Sequence, residues 1–196
     1  MSKPIVLASS SPFRKALLQR LQLPFTTATP NIDESALPNE LAPELVQRLA
    51  KSKAEALASR FSHHLIIGSD QVAVAEGNIL GKPHTEENAY KQLMQFSGKK
   101  VTFYTGLSVY DSAAEEHHTC LANYSVVFRC LSAQEIWAYI RAEQPLQCAG
   151  SFKSEGLGIC LFERMEGDDP NSLIGLPLIQ LCTLLRACGV NPLLVN

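Results

Sequence analysis

Residues 64–71, His-Leu-Ile-Ile-Gly-Ser-Asp-Gln, constrain the fold of this 196-residue chain more than any other stretch. An apolar run of strand length that stops at Gly68-Ser69-Asp70 reads as the carboxyl end of a strand in an open α/β sheet, the edge at which such sheets bind ligands. Asp70 then faces a crevice. Taken alone, the tripeptide reads equally well as a turn whose Asp bonds its own backbone. The flanking pattern favours the sheet. Ile5-Val6-Leu7-Ala8 reads as a first buried strand and Phe25 to Thr29 as a second. From Pro43 to Arg60, Leu45, Val46, Leu49, Ala50, Ala54, Leu57 and Ala58 keep helical spacing, so a helix packs on the sheet and leads into the Asp70 strand. Beyond it, Val72 to Ala75 and Ile79-Leu80 read as a hairpin turning at Glu76-Gly77-Asn78.

The length suits one domain over residues 1–196 or two closely joined lobes. Apolar residues at 46% and charged residues at 18% exclude disordered and collagen-like classes. Seventeen Lys and Arg against nineteen Asp and Glu leave a net charge of -2, without the basic stripe that a nucleic-acid polymer requires. A single nucleotide stays open as a ligand. The stretch from Met1 to Ser11 carries neither a signal-peptide core nor a membrane span, which points to a cytoplasmic address. Cysteines 120, 130, 148, 160, 182 and 188 form no C-x-x-C pair, against a zinc or redox site, and read as small core residues.

Four loops carry candidate chemistry. Ser9-Ser10-Ser11-Pro12 precedes an amphipathic run from Phe13 to Leu21. Ser-Pro is a helix start, and three hydroxyls with free backbone N–H groups, followed by Arg14 and Lys15, also suit a phosphate. Asn31-Ile32-Asp33-Glu34 is acidic, readable as solvated side chains or as hard oxygen ligands for a divalent metal. Gly81-Lys82-Pro83 sets a lysine on a stiff loop, better placed for a ligand than an average lysine, whereas Lys51 and Lys53 bracket the middle of a helix, where the usual fate of a lysine is solvent. In Cys148 to Gly156, Lys153 and Glu155 offer opposite charges beside Phe152, although the segment reads equally as a flexible loop.

The remaining elements are a helix from Thr85 to Phe96, paired strands Lys100 to Tyr110 and His117 to Arg129, and a helix through Arg141 opened by the Ser132-x-x-Glu135 capping box, with Trp137 as its core anchor. His117 and His118, adjacent on a strand, point to opposite faces and read as surface residues. Leu157 to Phe162 reads as a strand, 167–171 as a turn and Leu176 to Cys188 as a final helix.

Ser9-x-Ser11-Pro12-x-Arg14-Lys15, Glu34, Lys53, Gly68-Ser69-Asp70-Gln71, Gly81-Lys82-Pro83, Phe103-Tyr104-Thr105-Gly106 and Ala149-Gly150-x-Phe152 together resemble the Maf family of nucleotide pyrophosphatases. The resemblance runs from the first strand to the final helix, with the motifs in family order. It implies an α/β fold, a twisted mixed β-sheet with flanking helices like that of the inosine triphosphate pyrophosphatases, with two lobes around a central cleft. It also implies hydrolysis of a nucleoside triphosphate to the monophosphate and diphosphate with a divalent cation, Mg²⁺ or Mn²⁺.

By the same resemblance Asp70 is the proton acceptor, Ser9, Ser11, Arg14, Lys53 and Lys82 bind phosphate, and Glu34 and Asp70 hold the metal, with Asp33 a rival to Glu34. Where many members read Ser-Pro-Arg-Arg, this chain reads Ser11-Pro12-Phe13-Arg14. Phe13, Gln71 and Glu155 together resemble the branch that hydrolyses 7-methyl-GTP. An aromatic face attracts cationic 7-methylguanine, and a carboxylate accepts guanine's N1–H and amine. The alternatives are a pyrophosphatase for dTTP, UTP or another modified nucleotide, and a nucleotide-binding regulator of septum formation with little turnover. No nucleic-acid polymer or membrane is expected as partner, and a homodimer is compatible with the sequence.

Overall fold

The computed structural model describes residues 3–194, so Met1 and Ser2, at the start of the amino-terminal stretch, lie outside the described residues. In chain order the elements are β1 (Ile5–Ala8), α1 (Pro12–Gln19), β2 (Phe25–Ala28), α2 (Ala42–Glu55), β3 (Leu65–Ala75), β4 (Asn78–Leu80), α3 (Glu86–Phe96), β5 (Lys100–Asp111), β6 (Glu116–Phe128), α4 (Ala133–Glu143), β7 (Phe162–Glu166), α5 (Asn171–Ile174) and α6 (Leu178–Ala187). The strands form one seven-stranded sheet in the order β2-β1-β3-β5-β6-β7, with β4 paired to β3. β1 runs parallel to β2 and β3, whereas β3–β4 and β6–β7 are antiparallel, so the sheet is mixed as expected.

The chain divides into two compact units. One comprises Met1–Gln71, Thr105–Ala122 and Gly175–Asn196, the other Val72–Tyr104 and Asn123–Ile174. In the first, Val6, Ala8, Ala28, Ala54, Leu57 and Ile66 form a core closed by Ala58, Phe61 and Tyr110. The core of the second is aromatic: Phe128, Phe152 and Phe162 meet edge to face at 4.8–5.7 Å, and Phe103 packs on Phe152 in the same way at 5.3 Å. Trp137 is half-buried and stacks on Tyr90 at 4.9 Å, packed against this core.

The seating of α2 on the sheet decides where the functional side chains fall. A Cβ on Gly68 of β3 would lie 2.0 Å from the Ala50 carbonyl oxygen, and one on Gly106 of β5 would lie 2.1 Å from that of Val46. Both glycines are therefore demanded by the backbone of α2, which lies where a side chain would otherwise stand. The far end of the helix is tied down too. Glu55 bonds His117 Nε2 at 2.7 Å, His117 Nδ1 bonds Ser108 Oγ at 2.9 Å, and the imidazole lies 4.4 Å from the Tyr110 ring. His117 is thus a helix anchor rather than the surface residue its neighbourhood implied.

Four further expectations change. The strand read as ending at Gly-Ser-Asp and the hairpin strand after it are one eleven-residue strand, β3. Parallel pairing with β1 stops at Leu7↔Ile67, and antiparallel pairing with β4 begins at Ala73↔Leu80, so the change of partner, not a break, falls around Asp70. Asp70 is mid-strand, just past the carboxyl end of β1. Residues 157–161 form a 3-10 segment with Gly158 closed against the Lys153 backbone, and the strand begins only at Phe162. The cysteines are half-buried, or exposed at Cys130 and Cys160, instead of core. Helix α2 stops at Glu55, its end tightening into i→i+3 bonds such as Leu57 N–H to Ala54 O.

Gly68→Ala and Gly106→Ala each cost about 3 kcal/mol, the upper end of the overpacking range, because the obstructing atoms are backbone. Gly77→Ala, with φ of +82° and open space around it, costs only the left-handed penalty of about 1 kcal/mol. Urea unfolding of the three variants against the parent measures the difference.

Candidate active site

The amino terminus of α1 is built by its serines. Ser11 caps the helix by accepting from the Arg14 backbone N–H at 3.4 Å, Ser9 Oγ accepts from the Ser11 N–H at 3.1 Å, and Pro12 occupies the first helical turn. Ser9, Ser10, Ser11, Pro12, Lys15, Thr27, Ala28 and Thr29 line a hollow of about 270 Å³ here, in which Lys15 is the cation. Two other hollows, of about 740 and 380 Å³, lie along β2 and its preceding turn and have no carboxylate in their lining. Phe13, in the first turn of α1, is 39% exposed.

Arg14 turns inward. Its Nε donates to the Gly175 carbonyl oxygen at 2.8 Å. Burial lowers its pKa, opposed by the negative charges of Asp70 and Glu34. A guanidinium keeps its proton even so.

The centre of the site is Lys53. It lies on the face of α2 that the Gly68 and Gly106 contacts press to the sheet, is only 5% exposed, and its ammonium donates to Asp70 Oδ1 at 2.6 Å. The same nitrogen stands 3.0 Å from Glu34 Oε1, whose side chain is largely exposed. The expectation of solvent for this lysine is overturned: one cation bridges the two acids that the resemblance assigned to metal.

Glu34 is held within reach by its loop. Asp33 Oδ1 accepts the Ser35 N–H at 2.9 Å, an Asx turn. Arg48 of α2 grips Glu40 with two bonds of 2.6 and 2.7 Å and donates to the Ser35 carbonyl at 2.9 Å. Glu40 is consequently held down to about 2 by Arg48.

Strand alternation sends the neighbours of Asp70 to the opposite face of the sheet. There Gln71 Nε2 donates to Thr105 Oγ1 at 3.1 Å. Ser69, 1% exposed, lies 3.0 Å from the carbonyl oxygens of both Gly106 and Gly175.

In the second unit, the Gly81-Lys82-Pro83 loop is tied to α3 by Gln92 donating to the Gly81 carbonyl at 3.1 Å and Asn88 to the Pro83 carbonyl at 3.0 Å, with Lys82 exposed. The 148–156 loop is held rather than flexible. Lys153 Nζ donates to the Glu143 carbonyl at 2.6 Å, the Lys153 N–H donates to the Tyr139 hydroxyl at 3.0 Å, and Phe152 belongs to the aromatic core. Burial pushes the Tyr139 hydroxyl pKa well up, so it stays protonated. Glu155 is exposed.

The first unit thus gathers Arg14, Glu34, Lys53 and Asp70, with Ser9 and Ser11 at the start of α1. Sequence reasoning missed the Glu40–Arg48 pair and the Gly175 carbonyl. A cation eight residues after an acid was a readable hint for the pair, but nothing local marks a carbonyl 161 residues from its arginine. Among the described residues no three His, Cys, Asp or Glu side chains cluster as a ready-made metal cage.

A buried carboxylate paired with a lysine, beside a second acid and an arginine, is a charge arrangement compatible with chemistry at phosphate groups. Residues 4–188 match the family described as Maf-like protein, and the chain belongs to that family. It is 58% identical over 193 residues to a protein of Pseudoalteromonas translucida (strain TAC 125) named 7-methyl-GTP pyrophosphatase, covering 98% of this chain and 96% of that one. A protein of the same name from Colwellia psychrerythraea (strain 34H / ATCC BAA-681) is 57% identical over 191 residues, 97% and 96% of the two chains. The solved structure of the Staphylococcus aureus Ham1 protein superposes with a TM-score of 0.52 at 15% identity, over 94% of this chain and 99% of that one. At that identity the likeness shows the fold, the inosine-triphosphate-pyrophosphatase-like arrangement expected from the motifs.

Lys53→Met, which strands the Asp70 charge, costs about 3–5 kcal/mol, whereas Lys51→Met on the exposed side of α2 stays within about 0.5 kcal/mol; chemical denaturation of both variants is the measurement. The Glu40 pKa lies below its ordinary 4.5, so the Glu40–Arg48 contribution is fully present above that pH and is lost as pH falls toward 2. The melting-temperature gap between the parent and Glu40→Gln accordingly narrows on titration from pH 6 through that window.

Proposed function

We infer that this chain is a nucleoside triphosphate pyrophosphatase that hydrolyses 7-methyl-GTP to 7-methyl-GMP and diphosphate. One observation carries the reaction: two cations, Arg14 and Lys53, converge on two carboxylates, Asp70 and Glu34, inside one compact unit. Transfer at a phosphate anhydride asks for charge neutralisation, an aligned water and a base to accept its proton. Asp70, fixed on a strand by the Lys53 bond, takes the proton of the attacking water. Arg14 and Lys53 bind phosphate oxygens and steady their charge, and Ser9 and Ser11 shape the start of α1, whose N–H groups face anions. The bond that breaks joins the α-phosphorus to its bridging oxygen, which leaves with the diphosphate.

The residues present fit a divalent cation, Mg²⁺ or Mn²⁺, because such an ion takes one or two protein carboxylates and completes its shell with water and phosphate oxygens. Glu34 and Asp70 would hold it; Asp33 is already committed to its turn. The ion supplies positive charge at the phosphates.

The choice of base rests on Phe13, Gln71 and Glu155. A partly exposed aromatic ring at the start of α1 suits stacking on cationic 7-methylguanine, worth about 0.5–2 kcal/mol. The names of the two relatives agree with that reading. Gln71, Lys82 and Glu155 enter the proposal from the family resemblance. The cysteines, which form no disulfide among the described residues, suit a reducing cytoplasm, and no helix among the described residues is long and apolar enough to cross a membrane.

Diphosphate release with Mg²⁺ or Mn²⁺ is measured on 7-methyl-GTP, GTP, dTTP, UTP and CTP. The parent prefers 7-methyl-GTP, Asp70→Asn loses roughly 10²- to 10⁴-fold in kcat, and Phe13→Arg reduces the preference for the methylated base roughly 2- to 30-fold. Preference for dTTP or UTP overturns the assignment of the base but not of the reaction. Absence of release from every nucleotide overturns both.

A further inference from the structure

The Ser69 hydroxyl has one proton and two carbonyl acceptors, those of Gly106 and Gly175, each at 3.0 Å. The Gly175 oxygen also accepts Arg14 Nε–H at 2.8 Å, using both lone pairs of one carbonyl. Gly175 has φ of +107°, which only glycine adopts without strain, and a Cβ there would stand 3.3 Å from Arg14 Nε. A guanidinium is planar, so fixing its Nε–H fixes the plane in which the other four N–H groups point. Among the described residues Arg14 Nη1 and Nη2 have no hydrogen-bond partner, and their charge is felt by Asp70 and Glu34.

We propose that Ser69 and Gly175 are positioning residues: the Ser69 hydroxyl holds the Gly175 carbonyl, and that carbonyl orients the Arg14 fork for the phosphates. The residue before the base on β3 therefore also governs the aim of the cation. Base and cation are both tied to β3, Asp70 directly and Arg14 through Gly175 and Ser69. This rests on the reading of Arg14 as a phosphate ligand. Buried serines commonly serve only to satisfy a local carbonyl, so the distinguishing property is dependence on Arg14.

The experiment is a double-mutant cycle with Ser69→Ala, Gly175→Ala and Arg14→Gln, alone and combined. It is read by thermal unfolding, by kcat/KM for 7-methyl-GTP and by calorimetric binding of inorganic tripolyphosphate. Arg14→Gln weakens both functional readouts. Ser69→Ala lowers kcat/KM and tripolyphosphate affinity about tenfold in the parent and less than about twofold in the Arg14→Gln background. Gly175→Ala shows the same dependence, so the proposal stands on either perturbation if one variant folds poorly. Equal losses in both backgrounds, no loss in the parent background, or a parent that binds no tripolyphosphate overturn it. Turnover with no coupling in the cycle refutes the positioning role and leaves the pyrophosphatase reading intact. Coupling in tripolyphosphate binding without turnover supports the positioning role and refutes the activity.

Discussion

The contact between the backbone of α2 and two glycines of the sheet is the constraint on which the site depends. A helix resting on side chains is held off the sheet by them, whereas Gly68 and Gly106 remove those side chains and let the Ala50 and Val46 carbonyls occupy the space. A lysine one turn beyond Ala50 then reaches a mid-strand aspartate with its ammonium buried, which a more distant helix would leave in solvent. The closeness is also what makes the pair costly to disturb. In a site this dry the attraction between Lys53 and Asp70 is strong, and so is the penalty for leaving either alone.

Charge within the site is balanced. Arg14 and Lys53 contribute two positive charges, Asp70 and Glu34 two negative ones, and the coupling of Arg14 to both acids spreads the balance over the whole group. Within this group of four side chains neither sign is in excess. Lys53 satisfies both acids with one ammonium, at 2.6 Å from Asp70 and 3.0 Å from Glu34.

Much of this was legible in the chain because it is local or periodic. The buried strand leading into Asp70, the capped starts of α1, α3 and α4, and the apolar stripe of α2 are short-range patterns, and the structure places them within a few residues of expectation. The errors arise where partners are distant. A glycine followed by Ser-Asp signals a strand end unless another strand is waiting to pair beyond it, and β4 supplies that partner. Lys53 looks like any helix lysine until the two glycines bring its face against the sheet. His117 looks exposed until Glu55, 62 residues earlier, is found to bond it. The Maf motifs include both Lys53 and Glu34 without revealing that the two side chains touch.

The bond between Arg14 and Gly175 joins residues 161 positions apart. During synthesis from the amino terminus, every side chain of the gathered site, Arg14, Glu34, Lys53 and Asp70, has left the ribosome long before residue 175 is made. A nascent chain that has not yet reached residue 175 holds Asp70 and its lysine yet lacks the carbonyl on which the arginine rests. The side chains of the gathered site are all made early in translation, and their geometry is closed only near the end, so a chain truncated before Gly175 keeps those residues without the carbonyl that fixes Arg14.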